Sequence, residues 1–335
     1  MDLSALKEQM TGLDLRTAAG VIADTLVDAS LHQRAVLASA YKEANPGKSW
    51  DDIFAIFEYE PTALKSVAYA ICEYHHVMKG DRGHRVMLGW DKIDELLRGI
   101  RPGQVCGFGA RASVGKTTFA CNLIANIFTS SPHPILFFSL EMPAAEIAAR
   151  LFAIDQKIYP SHIERYFTAS CEDPSVASWA SKYSDLVIVD EGALSIEMIS
   201  AKYDEACHYL GRAIPLIVID YQGCIKGKGG SAYERASDIA MSLKALAKAK
   251  STAIFTLIQL SRKGGDGTER VTMDMARDSG QIEEACDFLL GAWRPKMTKQ
   301  LELDEFKISI LKNRHGRMGD FDMIFDSRFL RIKES

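Results

Sequence analysis

The stretch Ala110-Arg111-Ala112-Ser113-Val114-Gly115-Lys116-Thr117 decides the fold, and Thr118 continues it into the helical run TTFACNLIANIF over 117–128. It fits a Walker A pattern whose first position accepts Ala as well as Gly; counted from Gly109, the strict form is one residue too long. The chemistry needs a loop whose backbone N–H groups converge on phosphate oxygens. It also needs a Lys that reaches the β and γ phosphates and a hydroxyl for Mg²⁺. A following helix must turn its positive end toward the anion. Context agrees on both sides, because the apolar run QVCGFGA (104–110) precedes the loop as a strand. By residue frequencies the pattern alone arises in roughly one chain in forty. The flanking strand and helix make a mere glycine turn a poor account of it.

Outward from this loop, strands alternate with helices. Apolar runs PILFFSL (134–140), DLVIVD (185–190), IPLIVID (214–220) and TAIFTLI (252–258) are separated by helical stretches at 144–154, 195–210 and 233–250. Strands without polar alternation belong to a parallel sheet buried on both faces. The tail changes texture, to CDFLLGAW (286–293), FKISILK (306–312), DFDMIFD (320–326) and RFLRI (328–332) with tight turns. These read as antiparallel strands added at the sheet's edge. Residues 1–83 read as a small all-α region with a linker helix. Helical spacing runs over 17–29 and 31–44, Asn45-Pro46-Gly47 makes a turn, Ser49 and Asp52 have capping-box spacing, and a helix at 62–78 leads to a Gly-rich linker at 79–83. The expected organisation is 1–83 helical and 84–335 α/β.

Composition narrows the classes. The chain of 335 residues is 47% hydrophobic and 25% charged, within the globular range. No apolar stretch reaches the roughly 20 residues that span a bilayer, and the opening residues lack a signal peptide's apolar core. A cytoplasmic protein without membrane contact is expected. The seven cysteines never form CxxC and read as buried thiols rather than as a disulfide framework or zinc site. A net charge of −4 leaves no overall basic footprint, but does not exclude a protein that grips DNA with a few loops.

Hydrolysis of a bound nucleotide needs an acidic residue for Mg²⁺ and a base for water. Asp220 and Asp190 both end apolar strands, and the pattern alone does not choose between them. Glu141 follows the strand after the phosphate-loop helix, at the strand end where ligands sit in open α/β sheets. It reads equally as an acidic charge at a helix N-terminus before Pro143.

Taken together, these segments resemble the DnaB family of replicative DNA helicases over residues 88–332. The resemblance rests on LGWDKIDELLRGIRPGQ (88–104), GARASVGKTTFA (109–120), FFSLEM (137–142), LIVIDY (216–221), QLSR (259–262), ARDSGQIEEACD (276–287) and LKNRHGRMG (311–319), in that order. It implies a RecA-like P-loop NTPase core that uses ATP and Mg²⁺. Ala110 to Thr118 would then bind the nucleotide, with Thr117 and Asp220 on the metal; distance from the loop also favours Asp220, and leaves Asp190 to cap the loop that follows it. Glu141 is implied as general base, Gln259 as γ-phosphate sensor, and Arg314 as arginine finger assisted by Lys312. Arg277, Asp278 and Gly280 are implied in a loop that grips single-stranded DNA. The glycines and lysines of 226–230 suggest a second such loop, or simply a solvated one. The chain departs from the family at Ala112 and Val114, where Pro and Met are usual. Tyr221-Gln222-Gly223 stands where Tyr-Leu-Gln is common, and residues 1–80 do not resemble the family's primase-binding region.

The implied activity is ATP-driven translocation on single-stranded DNA during replication, by a homo-oligomeric ring, expected to be hexameric. A helicase loader or other replication proteins are expected partners. The unusual amino-terminal region points to a phage or plasmid source. A RecA-like ATPase of recombination or repair, which does not unwind, is the alternative.

Overall fold

The computed structural model describes residues 41–48, 85–170, 174–260, 266–277, 282–296 and 302–335. The chain divides into two compact units, Met1–Gly83 and His84–Ser335. In the first, residues 41–44 are helical and the chain turns at 45–48. Asn45 ends the helix, its side-chain and backbone nitrogens both donating to the Tyr41 carbonyl, at 3.1 and 2.9 Å. The helices expected at 17–29 and 62–78, the Ser49–Asp52 cap and the linker at 79–83 lie outside the described residues.

The second unit alternates strand and helix. In chain order it contains α1 (Asp91–Leu97), β1 (Val105–Ala110), α2 (Lys116–Ser130), β2 (Ile135–Ser139), α3 (Ala144–Gln156), α4 (Pro160–Ser170), α5 (Pro174–Lys182) and β3 (Leu186–Val189). There follow α6 (Ile196–Leu210), β4 (Leu216–Asp220), α7 (Ala232–Ala249), β5 (Ala253–Gln259), α8 (Met273–Arg277), α9 (Ile282–Ala285), β6 (Phe288–Trp293), β7 (Leu303–Asn313), β8 (Gly319–Asp326) and β9 (Arg331–Glu334). Among the described residues these strands form one sheet, in the order β3-β2-β4-β5-β1-β6-β7-β8-β9. β1 to β6 run parallel and β7 to β9 antiparallel.

One expectation is corrected here. CDFLLGAW is not part of the antiparallel edge: Phe288–Trp293 pairs in parallel with β1, in the register Cys106↔Phe288 to Ala110↔Ala292. The residues between β5 and β6 include α8 and α9 and return the chain to the start of β1, which permits a parallel strand there. β1 is therefore interior, and all six of its residues are buried.

Helices cover both faces, as a mainly parallel sheet demands. Ile135 and Phe137 belong to the core shared with α2 and α3, whereas Leu136 and Phe138 belong to the core shared with α6 and α7. Residues 160–182 carried no sequence assignment. They fold as α4 and α5 around contacts made elsewhere: Trp179 Nε1, Lys182 Nζ and the Tyr183 hydroxyl all donate to Asp155 Oδ2, at 3.1, 2.8 and 2.7 Å.

The helix that follows the phosphate loop is fixed along its length. Phe119 stacks between Phe108 of β1 and Trp90, with ring centroids 4.0 and 4.4 Å away. Asn122, fully buried, donates to the Leu330 carbonyl at 2.7 Å and accepts from Ile332 N at 2.9 Å, which ties α2 to β9. Ahead of α1, the amides of Leu88 and Gly89 each donate to Asp94 at 2.7 Å. Gly89 has φ +81°, and a Cβ there would lie 2.4 Å from the Asn126 Cβ, so only glycine fits. Among the described residues no helix is long and apolar enough to cross a membrane.

Two outcomes follow from these anchors. Asn122→Ala leaves a buried N–H and C=O without partners and should cost about 2–4 kcal/mol in urea unfolding. Burial raises the Asp94 pKa from 3.8 to about 6 against its backbone hydrogen bonds. As pH rises past 4 the unfolded chain therefore loses this proton first, and stability falls until the folded group ionises near 6. The stability of the wild type relative to Asp94→Asn should decline between pH 4 and 6 and stay level above it; a flat difference across that window would refute the assignment.

Candidate functional site

The carboxyl ends of adjacent strands bring the chemistry together. β1 ends at Ala110, the loop runs from Arg111 to Gly115, and Lys116 opens α2. The turn requires left-handed backbone at Ser113 (φ 66°) and Gly115 (φ 119°). Val114 is fully buried in the core beneath the loop. Lys116 Nζ lies over its own loop, 3.5 Å from the carbonyls of Ala110 and Arg111. Burial lowers its pKa, and the charges of Asp220 and Glu141 oppose that shift.

Asp220 ends β4, two strands from β1, at a lateral distance of roughly 10 Å. It is 1% exposed, and neither carboxylate oxygen has a well-formed hydrogen bond. Burial raises its pKa; the nearby Thr117 hydroxyl offsets part of the rise, Glu141 adds to it, and Lys116 and Arg150 oppose it. A buried carboxylate without a partner, beside a hydroxyl and a lysine, is the donor set that a hard oxygen-seeking cation completes. The residues present therefore fit Mg²⁺, which Thr117 and Asp220 would hold.

Asp190 is excluded from that role. It follows β3, the outermost strand on that side, and its Oδ2 accepts from Ala144 N at 2.9 Å. It thus caps the start of α3 rather than the loop that follows it. The amide of Ala144 at the start of α3 is thus taken by Asp190 and not by Glu141. Glu141 stands at the end of β2, where Ser139 pairs with Asp220 and Leu140 N donates to the Asp220 carbonyl at 2.7 Å. Ser139 Oγ donates to the Met142 carbonyl at 2.6 Å and closes the turn around Glu141. The Glu141 side chain is exposed, with its charge felt at Lys116 and Asp220. Gln259 ends β5 directly beside Ala110, also exposed, and Arg111 Nη1 bonds the next carbonyl, Leu260, at 2.9 Å.

The remaining candidates lie elsewhere. β7 runs antiparallel to β6, so Asn313 pairs with Phe288 at the amino-terminal end of β1. Arg314 and Lys312 therefore sit at the sheet edge opposite the phosphate loop. Arg314 Nη1 is 3.3 Å from Asp287 Oδ1, and Lys312 Nζ donates to the Glu283 carbonyl. Arg277 ends α8, while Asp278 and Gly280 lie outside the described residues.

The 226–230 loop is mostly exposed, and its backbone is tied to α7. Lys228 N donates to Asp238, and Gly230 N to Glu234. A Cβ on Gly227 would meet the Arg235 carbonyl at 2.5 Å, so that glycine serves close packing against α7. Sequence reading missed Arg150 of α3, whose charge reaches Asp220. It also missed the fate of the displaced amide: Gln222 is buried, and its nitrogen has no partner. Neither residue has a local pattern that marks it.

Residues 86–334 match the family model described as the DnaB-like helicase C terminal domain. The replicative DNA helicase DnaB of Pasteurella multocida is 28% identical over 311 residues, which cover 90% of this chain and 64% of that protein. The DnaB of Geobacillus stearothermophilus is 29% identical over 248 residues, covering 71% of this chain and 54% of that protein. The chain thus spans less than two thirds of the length of these relatives. Among solved structures, one described as an ATPase domain superposes with a TM-score of 0.70 at 22% identity, over 81% of this chain and 99% of that one. A DnaB-like replicative helicase, solved in a study of its interactions with primase, gives 0.67 at 20% identity over 90% and 76%. At such identities these two establish the fold alone, which is the RecA-like α/β core.

The unpaired Asp220 has a measurable consequence. Asp220→Asn removes a buried charge without a partner and should raise the thermal midpoint of the ligand-free protein. A lower midpoint would mean that the carboxylate is satisfied within the fold.

Proposed function

We propose, from the premise that this chain belongs to the DnaB-like helicase C-terminal domain family, that residues 84–335 are the ATP-hydrolysing motor of a replicative DNA helicase. The motor translocates on single-stranded DNA and turns over ATP at the interfaces of a homo-oligomeric ring, hexameric by family likeness. The observation that carries this reading is the meeting of Lys116, Thr117, Glu141, Asp220 and Gln259 at the carboxyl ends of β1, β2, β4 and β5.

Within that site the loop amides and Lys116 bind the β and γ phosphates, and the start of α2 adds its dipole. Thr117 and Asp220 would hold Mg²⁺, which would supply charge neutralisation on the phosphates. Glu141, exposed at the strand end, orients the attacking water and accepts its proton. Gln259, between Ala110 and Leu260, reports the γ-phosphate along β5. Arg314 lies at the far end of β1, and so acts on the nucleotide of an adjacent subunit. Arg277, Asp278 and Gly280 contact the DNA backbone, and a loader or other replication protein delivers the ring to it. The names of the relatives favour unwinding over the recombination reading.

ATP hydrolysis with and without single-stranded DNA tests the proposal. DNA should stimulate the wild type. Glu141→Gln should lose roughly 10²–10⁴-fold in turnover and Arg314→Ala about 10³-fold or more, both with nucleotide binding retained. Turnover indifferent to DNA would remove the motor reading. Stimulated turnover without displacement of a strand from a forked duplex would instead support the recombination ATPase.

A further inference from the structure

Asp287 is a buried acid outside the nucleotide site that joins three separate elements of the fold. Its side chain is 4% exposed, yet it carries three contacts. Oδ2 accepts from Lys244 Nζ of α7 at 2.6 Å and from Val105 N, the first residue of β1, at 2.9 Å. Oδ1 faces Arg314 Nη1 at 3.3 Å. The backbone repeats the link: Arg314 N donates to the Asp287 carbonyl at 3.0 Å, and Asp287 N to the Val105 carbonyl at 2.8 Å. Lys244 is itself fixed, by a second bond to the Gly103 carbonyl at 2.8 Å. Arg314 stays 52% exposed.

We infer that Asp287 is a positioning residue for Arg314: it holds the guanidinium by one nitrogen at the subunit surface and leaves the remaining donors available to a neighbouring subunit's nucleotide. This rests on the finger role proposed for Arg314. A long, half-exposed side chain samples many rotamers, and only a fraction of them present its donors in one direction. A buried carboxylate clamped by Lys244 and Val105 is a rigid point from which to select among them. Lys312 is held nearby by a backbone group, the Glu283 carbonyl of α9. Both finger candidates thus hang from Glu283–Asp287, which in the chain follows the candidate DNA-contacting residues Arg277 to Gly280.

The test compares wild type, Arg314→Ala, Asp287→Asn and the double variant Asp287→Asn with Lys244→Met, in ATP turnover with saturating single-stranded DNA. The double variant removes both charges of the buried pair and leaves no unpaired ammonium, so it reports even if the single variant fails to fold. Loss of positioning should lower kcat by about 10- to 100-fold in both Asp287 variants, with KM for ATP and the affinity for a fluorescent ATP analogue within about twofold of wild type. A merely structural role would move KM and the unfolding midpoint together with kcat, or would let the double variant regain wild-type kcat; either result overturns the inference. Full activity of the Asp287 variants beside an inactive Arg314→Ala removes this inference alone. Full activity of Arg314→Ala removes the finger role, and this inference with it.

Discussion

The parallel pairing of β1 with β5 on one side and β6 on the other is the constraint on which the rest of the molecule depends. A strand with two parallel neighbours has its backbone groups used along its whole length, and its carboxyl end opens into a crevice that no hairpin can fill. Ala110 ends there beside Gln259, and the loop must turn sharply to start α2, hence the left-handed Ser113 and Gly115. Asp220 and Glu141 arrive at the same edge because β4 and β2 are the next strands across. The site is a consequence of strand order before it is a consequence of side-chain choice.

The two ends of β1 treat a buried carboxylate in opposite ways. At the carboxyl end Asp220 has neither a well-formed hydrogen bond nor a salt bridge, and its pKa is driven up by burial. At the amino end Asp287 is surrounded by an ammonium, a guanidinium and a backbone N–H. A buried charge without a partner costs on the order of several kcal/mol, and is retained where a ligand completes it. A saturated one fixes the groups that hold it. The contrast separates a site that waits for a cation from a clamp that is complete within the chain.

Much of this was legible from local pattern. The phosphate loop needs its glycine and lysine at fixed spacing, and strands buried on both faces lack polar alternation. The parts that sequence reading missed depend on contacts distant in the chain. Strand 288–293 looked like its antiparallel successors because a strand's own residues do not encode which neighbour it meets. Asp190 and Asp220 end equally apolar strands, so local pattern leaves both open, and distance and resemblance favour Asp220. The sheet order and the amide of Ala144 set the two apart in space. The glycines at 227 and 229 suggested a pliant loop, but their lack of Cβ answers the nearness of α7. Helices α4 and α5 were invisible because Asp155 and its three donors assemble only in the folded chain.

The length of β1 bears on how the proposed motor works. From Val105 to Ala110 the strand rises about 16 Å, and the phosphate loop lies beyond one end while Arg314 lies beyond the other. No rotamer of Arg314 spans that distance, and its backbone is pinned to Asp287, so a subunit cannot complete its own site with this residue. A finger placed there acts only on a second copy of the chain. The same strand that buries the core therefore ties the two halves of a shared site at a fixed separation. In the proposed ring, each β1 joins the nucleotide bound at its carboxyl end to the finger presented at its amino end.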